Sequence, residues 1–79
     1  MPIVTTPCLV LQTYRFGDTS KILRLLTQEH GPVSALARGA LRPRSRMSGV
    51  LEPFVEGVVT LYLKSNRDLH TLSGFDLIR

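Results

Sequence analysis

The sequence predicts an all-β domain, a five-stranded Greek-key barrel with a short helix or turn between strands 3 and 4. Two observations support this fold class. Five stretches are rich in aliphatic, β-branched and aromatic residues, and turn-forming residues bound each of them. The stretches are spaced as three strands, a break, and a hairpin of two more strands. The 79 residues, 43% of them hydrophobic, are enough for a single domain, residues 1–79, with one core.

The first three predicted strands lie in the N-terminal half of the chain. Residues 8–14 (CLVLQTY) form the first strand, which ends at a turn around Gly17. Residues 22–28 (ILRLLTQ) form the second; they are also long enough for two helical turns, but their place between two turn signals favours a strand. A turn at Gly31 then leads into the third strand, residues 33–38 (VSALAR).

The remaining two strands follow the break. Residues 48–53 are the short helix or turn, and residues 54–64 (FVEGVVTLYLK) form the longest strand candidate. Gly57 within it predicts a bulge or sharp bend of the kind that closes small barrels. Residues 69–72, extended to Phe75, return as the fifth strand. This number and spacing of strands favours an OB-fold, with an SH3-like barrel or a β-ribbon with helices as alternatives.

The positive charge of the chain is concentrated in one segment, which we call the basic loop, residues 38–49. The loop contains no acidic residue, whereas basic and acidic residues are equal in number over the rest of a chain whose net charge is +4. Its four basic residues are Arg38, Arg42, Arg44 and Arg46. Gly39 and Pro43 disfavour a regular helix or strand here. In an extended segment the last three arginines share one side at spacings of about 6–7 Å, close to a phosphate repeat. A solvated basic loop without a ligand is the alternative.

The sequence contains few side chains of the kinds that serve in catalysis. Cys8, the only cysteine, lies within an apolar strand, where we expect a buried, inert thiol. His30 and His70 are expected to be surface or half-buried side chains rather than ligands, because no zinc set accompanies them. Glu52 and Glu56 are separated by a proline and are unsuited to paired acid–base work. We therefore predict a non-catalytic protein without a cofactor or metal.

The N-terminus (MPIVTTPCLVLQ) has no basic residue, and its apolar run is far shorter than the roughly 20 residues of a membrane span. With a single cysteine the chain forms no internal disulfide, which fits a reducing compartment. We expect a cytoplasmic protein that has no membrane partner.

The aromatic residues have two possible roles, stacking on bases and packing in the core. Tyr14, Phe16 and Tyr62 offer stacking platforms of the sort that single-strand binders use. Core packing is the expected role of Phe16, Phe54 and Phe75, whereas the tyrosines suit a half-exposed sheet surface equally well.

The order of the motifs is more specific than any one of them. Residues 25–27 (LLT), 30–31 (HG), 37–40 (ARGA), 42–46 (RPRSR) and 51–54 (LEPF) follow one another along nearly the whole chain. In this order the sequence resembles the N-terminal domain of the bacterial recombination mediator RecO.

The resemblance implies an OB-fold that binds single- and double-stranded DNA and takes part in recombinational repair after DNA damage. It further implies strand annealing and, with RecR, the loading of RecA onto strands covered by single-stranded DNA-binding protein. The candidate DNA-binding residues are Arg38, Arg42, Arg44 and Arg46 of the basic loop, Lys21 at the first turn, and also Arg24 and Tyr14. Leu41 departs from the family pattern, in which a second basic residue often stands there. A nucleoid-associated place in the bacterial cytoplasm follows from the same resemblance.

The family also has a helical C-terminal domain, often with zinc-binding cysteines, which contacts the single-stranded DNA-binding protein and is absent from these 79 residues. If Leu23 and Leu25 face the interior, Ile22 and Leu26 point outward and suggest a covered surface. A second hypothesis is therefore a protein-interaction module that docks RecR or the helical domain. RNA binding is a weaker third, because phosphate contacts alone do not distinguish the two polymers.

Overall fold

The computed structural model describes residues 2–42, 49–64 and 68–78. These ranges contain five β-strands and no helix: β1 (Ile3–Phe16), β2 (Ser20–Thr27), β3 (Gly31–Ala37), β4 (Glu56–Tyr62) and β5 (Leu69–Leu77). The strands pair in the order β1-β2-β3-β5-β4, and β4 returns to β1 to close the barrel. All pairs are antiparallel except β3 with β5. The predicted all-β class and the OB-fold architecture are confirmed.

β1 is longer than predicted because it pairs with two neighbours in succession. Its first half, from Ile3 to Leu9, pairs with β4, and its second half, from Cys8 to Phe16, pairs with β2. The strand therefore begins five residues before the predicted start at Cys8. No helix in the described ranges is long and apolar enough to cross a membrane.

The core lies inside the barrel and follows the alternation of the strands. In β2, Leu23 and Leu25 are fully buried, while Arg24 and Leu26 point outward. This is the predicted orientation. The core consists of Cys8, Val10, Leu23, Leu25, Val33, Ala35, Ala37, Ala40, Leu51, Val59, Leu61 and Leu72.

Gly57 occupies a place in β4 where a larger side chain does not fit. A Cβ atom on Gly57 would lie 2.5 Å from Cζ of Phe75 and 2.7 Å from the carbonyl oxygen of Asp76. Of the bulge or sharp bend predicted at this glycine, the bulge is wrong, because the pairing register runs through Gly57 without a shift. The strands β4 and β5 shift instead between Thr60 and Leu61. The glycine lets the Phe75 ring cross β4 and pack against the core, where that ring was expected.

Residues at the start of the basic loop and just after its end belong to the barrel. Ala40 and Leu51 are only 3% and 1% exposed and lie in the core. Of the two alternatives predicted for this segment, helix or turn, the described residues form turns, at residues 49–50 and 53–54. The backbone N–H of Leu41 donates to the carbonyl of Thr19 at 2.8 Å, which fastens the loop to the β1–β2 turn.

Candidate nucleic-acid interface

The outer face of β2 and β3 carries a mixture of apolar, polar and basic side chains. In the sheet register Tyr14 lies opposite Ile22, and Ile22 lies opposite Leu36. One row along, Arg24 lies opposite Ser34, and its guanidinium Nη1 donates to the serine Oγ at 2.8 Å. Arg24 is exposed, so this hydrogen bond positions its guanidinium on the open surface of the sheet.

A groove of about 430 Å³ opens at the end of this face, between the β1–β2 turn and the segment that follows β3. We call it the Phe16 groove; its lining residues are Phe16, Thr19, Ser20, Leu36, Arg38, Gly39 and Arg42. The two arginines are exposed, and none of the seven lining residues is acidic. The groove therefore combines an open aromatic ring with two positive charges.

A second groove of about 280 Å³ adjoins the first at Arg38 and is lined further by Tyr62, Lys64 and Thr71. We call it the Tyr62 groove. Arg38 lines both grooves, so a basic residue lies where the two grooves meet. Each groove contributes one aromatic ring and one further cation, Arg42 in the first and Lys64 in the second.

Gly39 and its turn fix the position of Arg42. Gly39 has φ 71°, a left-handed conformation that favours glycine, and the N–H of Arg42 donates to its carbonyl at 3.1 Å. The stem of Arg42 folds back over this glycine, with Cδ at 3.7 Å from the position a Cβ would take. The guanidinium of Arg42 is thereby held beside the groove.

Of the seven predicted DNA-binding residues, the structure brings Arg38 and Arg42 together at the Phe16 groove. Tyr14, 50% exposed, lies on the same outer face as Arg24, and its hydroxyl donates to Oε1 of Gln12. The remaining loop residues, Arg44 and Arg46, lie outside the described residues.

Lys21 differs from the other candidates because its charge is already paired. Its side chain is only 17% exposed, and Nζ donates to Oε2 of Glu52 at 2.8 Å and to the carbonyl of Leu51 at 3.0 Å. An ammonium group in this position supports the chain that follows the basic loop.

The remaining reactive side chains, Cys8 and His70, line neither groove. Cys8 is 5% exposed, and burial raises the pKa of its thiol from 9.0 to about 11. His70 is half-buried, and its Nδ1 accepts a hydrogen bond from the N–H of Lys64 at 3.0 Å. Over the described ranges no three His, Cys, Asp or Glu side chains are grouped so as to hold a metal ion.

The expectation that Phe16 and Phe54 pack in the core is wrong. Phe16 is 53% and Phe54 78% exposed. In β1 the register shifts between Val10 and Gln12, and this irregularity reverses the alternation, so that residues after it change faces. Without the shift Phe16 would share the inward face of Val10; with it, Phe16 faces outward. The signal in the sequence was the polar Gln12, which stands at a position that would face inward if the alternation continued from Val10.

The chain is similar in sequence to known proteins over its whole length. The family model described as Recombination protein O N terminal matches residues 1–79. DNA repair protein RecO of Bacillus pumilus is 38% identical over 76 residues, 96% of this chain and 29% of that protein. The RecO proteins of Salinibacter ruber and Bifidobacterium adolescentis are 42% and 41% identical, over 90% and 99% of this chain and 27% and 31% of their own lengths.

The chain thus spans less than a third of the length of these relatives. The family match nevertheless leaves no part of it uncovered, and the closed barrel is the fold that the resemblance implies. The chain belongs to the family of RecO N-terminal domains.

Proposed function

We propose that this chain is a non-catalytic DNA-binding domain of a DNA repair protein, and that it holds the phosphate backbone of single- and double-stranded DNA without sequence specificity. The observation that carries the proposal is the convergence of Arg38 and Arg42 on one groove beside the exposed Phe16. Its relatives are named DNA repair protein RecO, which supports a role in DNA repair.

Arginine suits this role because its planar guanidinium binds two phosphate oxygens at once and also stacks on bases. On the described surface Arg38, Arg42 and Arg24 supply such groups, and Tyr14 adds a ring beside them. Arg44 and Arg46 extend the same basic segment in the sequence. The proposal assigns Lys21 a supporting role, because Glu52 already neutralises its charge.

Phosphate contacts position a protein on DNA but carry no sequence information. The domain should therefore bind unrelated sequences with similar affinity. Its place in repair follows from the family: strand annealing and, with RecR, the loading of RecA in the bacterial cytoplasm. The domain would contribute DNA binding to these activities, because its RecO relatives are more than three times as long as this chain.

The test is a fluorescence anisotropy titration of labelled oligonucleotides of unrelated sequence. The double variant Arg38→Ala/Arg42→Ala should weaken binding to all of them alike. Arg15→Ala is the matched control for each single variant, Arg38→Ala and Arg42→Ala, since it removes one positive charge from an exposed side chain that lines neither groove. Equal affinities of the double variant and the control would contradict the proposed interface.

A second candidate function, docking of a protein partner such as RecR, is favoured by the apolar surface elsewhere on the barrel. Several large apolar side chains that line neither arginine groove are exposed at separate positions: Ile3, Leu26, Phe54, Leu77 and Ile78. A groove of about 430 Å³ beside Leu26, lined also by Pro7, Leu9 and Glu56, adds a concave surface. Gel filtration with RecR, compared between the wild type and Leu26→Ser, tests this function separately from DNA binding.

A further inference from the structure

The Phe16 groove contains a feature that phosphate binding does not need, which is the exposed ring of Phe16 itself. Phe16 is the last residue of β1, 53% of it is exposed, and it is not among the residues of the core or those packed against the core. An exposed aromatic ring beside two arginines offers a stacking surface to a flat group of a ligand. The ring therefore indicates a ligand with a flat apolar part.

The arginines on the other side of the groove indicate that the same ligand is an anion. Arg38 and Arg42 line the groove, and no acidic side chain is among its lining residues. A volume of about 430 Å³ lies within the range of small-molecule sites, about 300–1,000 Å³. A nucleotide combines a flat base with a phosphate and has a suitable size.

We propose that the Phe16 groove receives one unpaired nucleotide of a DNA strand, with its base stacked on Phe16 and its phosphate held by Arg38 and Arg42. A base in a duplex is stacked on both faces and must be unstacked and unpaired before it can reach the ring. The groove thus gives the domain a preference for single strands, which phosphate contacts alone do not provide. This inference rests on the proposed DNA-binding function.

The walls of the groove are held in place before a ligand arrives. The hydrogen bond from Leu41 to Thr19 joins the segment after β3 to the β1–β2 turn, so the two sides of the groove are tied together. Arg42 is held over Gly39 by its own turn. The groove walls therefore lose little conformational freedom when a ligand binds, which favours affinity.

The first experiment compares the affinity of the 79-residue chain for an oligothymidine strand with its affinity for a hairpin duplex of equal charge. Phe16→Ala should weaken single-strand binding by about 5- to 100-fold, the effect of losing one stacked base, and leave duplex binding within about twofold. Phe54→Ala is the matched control, since it removes an exposed phenylalanine that lines neither groove. Circular dichroism confirms that each variant is folded.

The second experiment uses the absence of tryptophan from the sequence. Phe16→Trp keeps a stacking ring and provides the only indole, so it should bind single strands at least as well as the wild type. Its emission should be quenched by the single strand, with a midpoint equal to the dissociation constant, and be unchanged by the duplex or by a strand of abasic sites.

If Phe16→Ala loses affinity for the single strand and the duplex by the same factor, the stacking site is overturned while DNA binding itself stands. The same conclusion follows if the single strand leaves the emission of Phe16→Trp unchanged. A wild-type chain that binds neither oligonucleotide would overturn the proposed function, and the stacking site with it.

Discussion

The ammonium group of Lys21 donates a hydrogen bond of 2.8 Å to Oε2 of Glu52, and it reaches the neighbouring carbonyl of Leu51 at 3.0 Å. On the other side of the basic loop, the N–H of Leu41 donates to Thr19 at 2.8 Å. The start of the basic loop and the residues that follow its end are thus both fastened to the β1–β2 hairpin. The β1–β2 hairpin therefore holds the basic loop in position.

Lys21→Met tests whether this lysine supports the loop or contacts phosphate. The substitution leaves the carbonyl of Leu51 without this partner and breaks the ion pair with Glu52, so we expect a loss of about 1 kcal/mol of unfolding free energy. Urea denaturation measures it. DNA binding should weaken only modestly, with an unchanged dependence on salt.

Glu52→Gln is the matched variant for this prediction. If Lys21 acts through Glu52, both substitutions lower the stability, and neither lowers the slope of log K against log salt. A slope that falls by about 0.7 in Lys21→Met alone would instead make Lys21 a direct phosphate contact on single strands.

The arginines predict a salt dependence of measurable size. If three or four of them each neutralise one phosphate, log K for a single strand falls with log salt at a slope of roughly −2 to −3. Arg38→Ala/Arg42→Ala should reduce that slope by about 1.4, because two contacts are lost. Anisotropy titrations at several salt concentrations measure both values, with Arg15→Ala keeping the wild-type slope. A wild-type affinity that is independent of salt would contradict the phosphate-binding mechanism.

The fold could be predicted where local pattern and tertiary structure agree. β2 shows the simplest case, since Leu23 and Leu25 alternate with outward residues and two turn signals bound the strand. The start of β1 could not be predicted, because residues 3–7 become a strand only by pairing with β4, more than fifty residues away. Gly57 was identified as unusual, but its reason is a Phe75 ring that only the folded barrel brings there.

The sequence predicts which residues belong to the candidate site better than it predicts where their side chains lie. Arg38 and Arg42 follow from the concentration of charge in one segment, and the structure brings both to one groove. Phe16 is expected in the core as a large aromatic residue, but the irregularity of β1 turns it outward. The partner of Lys21 lies 31 residues away and leaves no local signal. The contributions of Arg44 and Arg46 remain predictions.

The buried thiol of Cys8 predicts a loss of stability at alkaline pH. Burial raises its pKa from 9.0 to about 11, so between these values the unfolded chain loses the thiol proton while the folded chain keeps it. The unfolded state then binds fewer protons, and the free energy of unfolding falls as the pH rises, by about 2 to 3 kcal/mol in total.

Cys8→Ala is the reference for this prediction, because it lacks the titrating group and shares all others. Urea denaturation below pH 9 and near pH 11 should show the stability advantage of the wild type over the variant shrinking by that amount. An advantage that stays constant over this range would show that the thiol ionises alike in both states.

Gly57→Ala tests the close packing that closes the barrel. The added methyl group would lie 2.5 Å from Cζ of Phe75 and 2.7 Å from the carbonyl oxygen of Asp76. The ring can move, but the carbonyl belongs to a paired strand, so β4 and β5 must separate locally. We expect the unfolding free energy to fall by about 1–3 kcal/mol, measured by urea denaturation. Gly74→Ala is the matched control in β5, since a Cβ there meets only Thr60, at 4.0 Å. Equal stabilities of the two variants would contradict a steric role for Gly57.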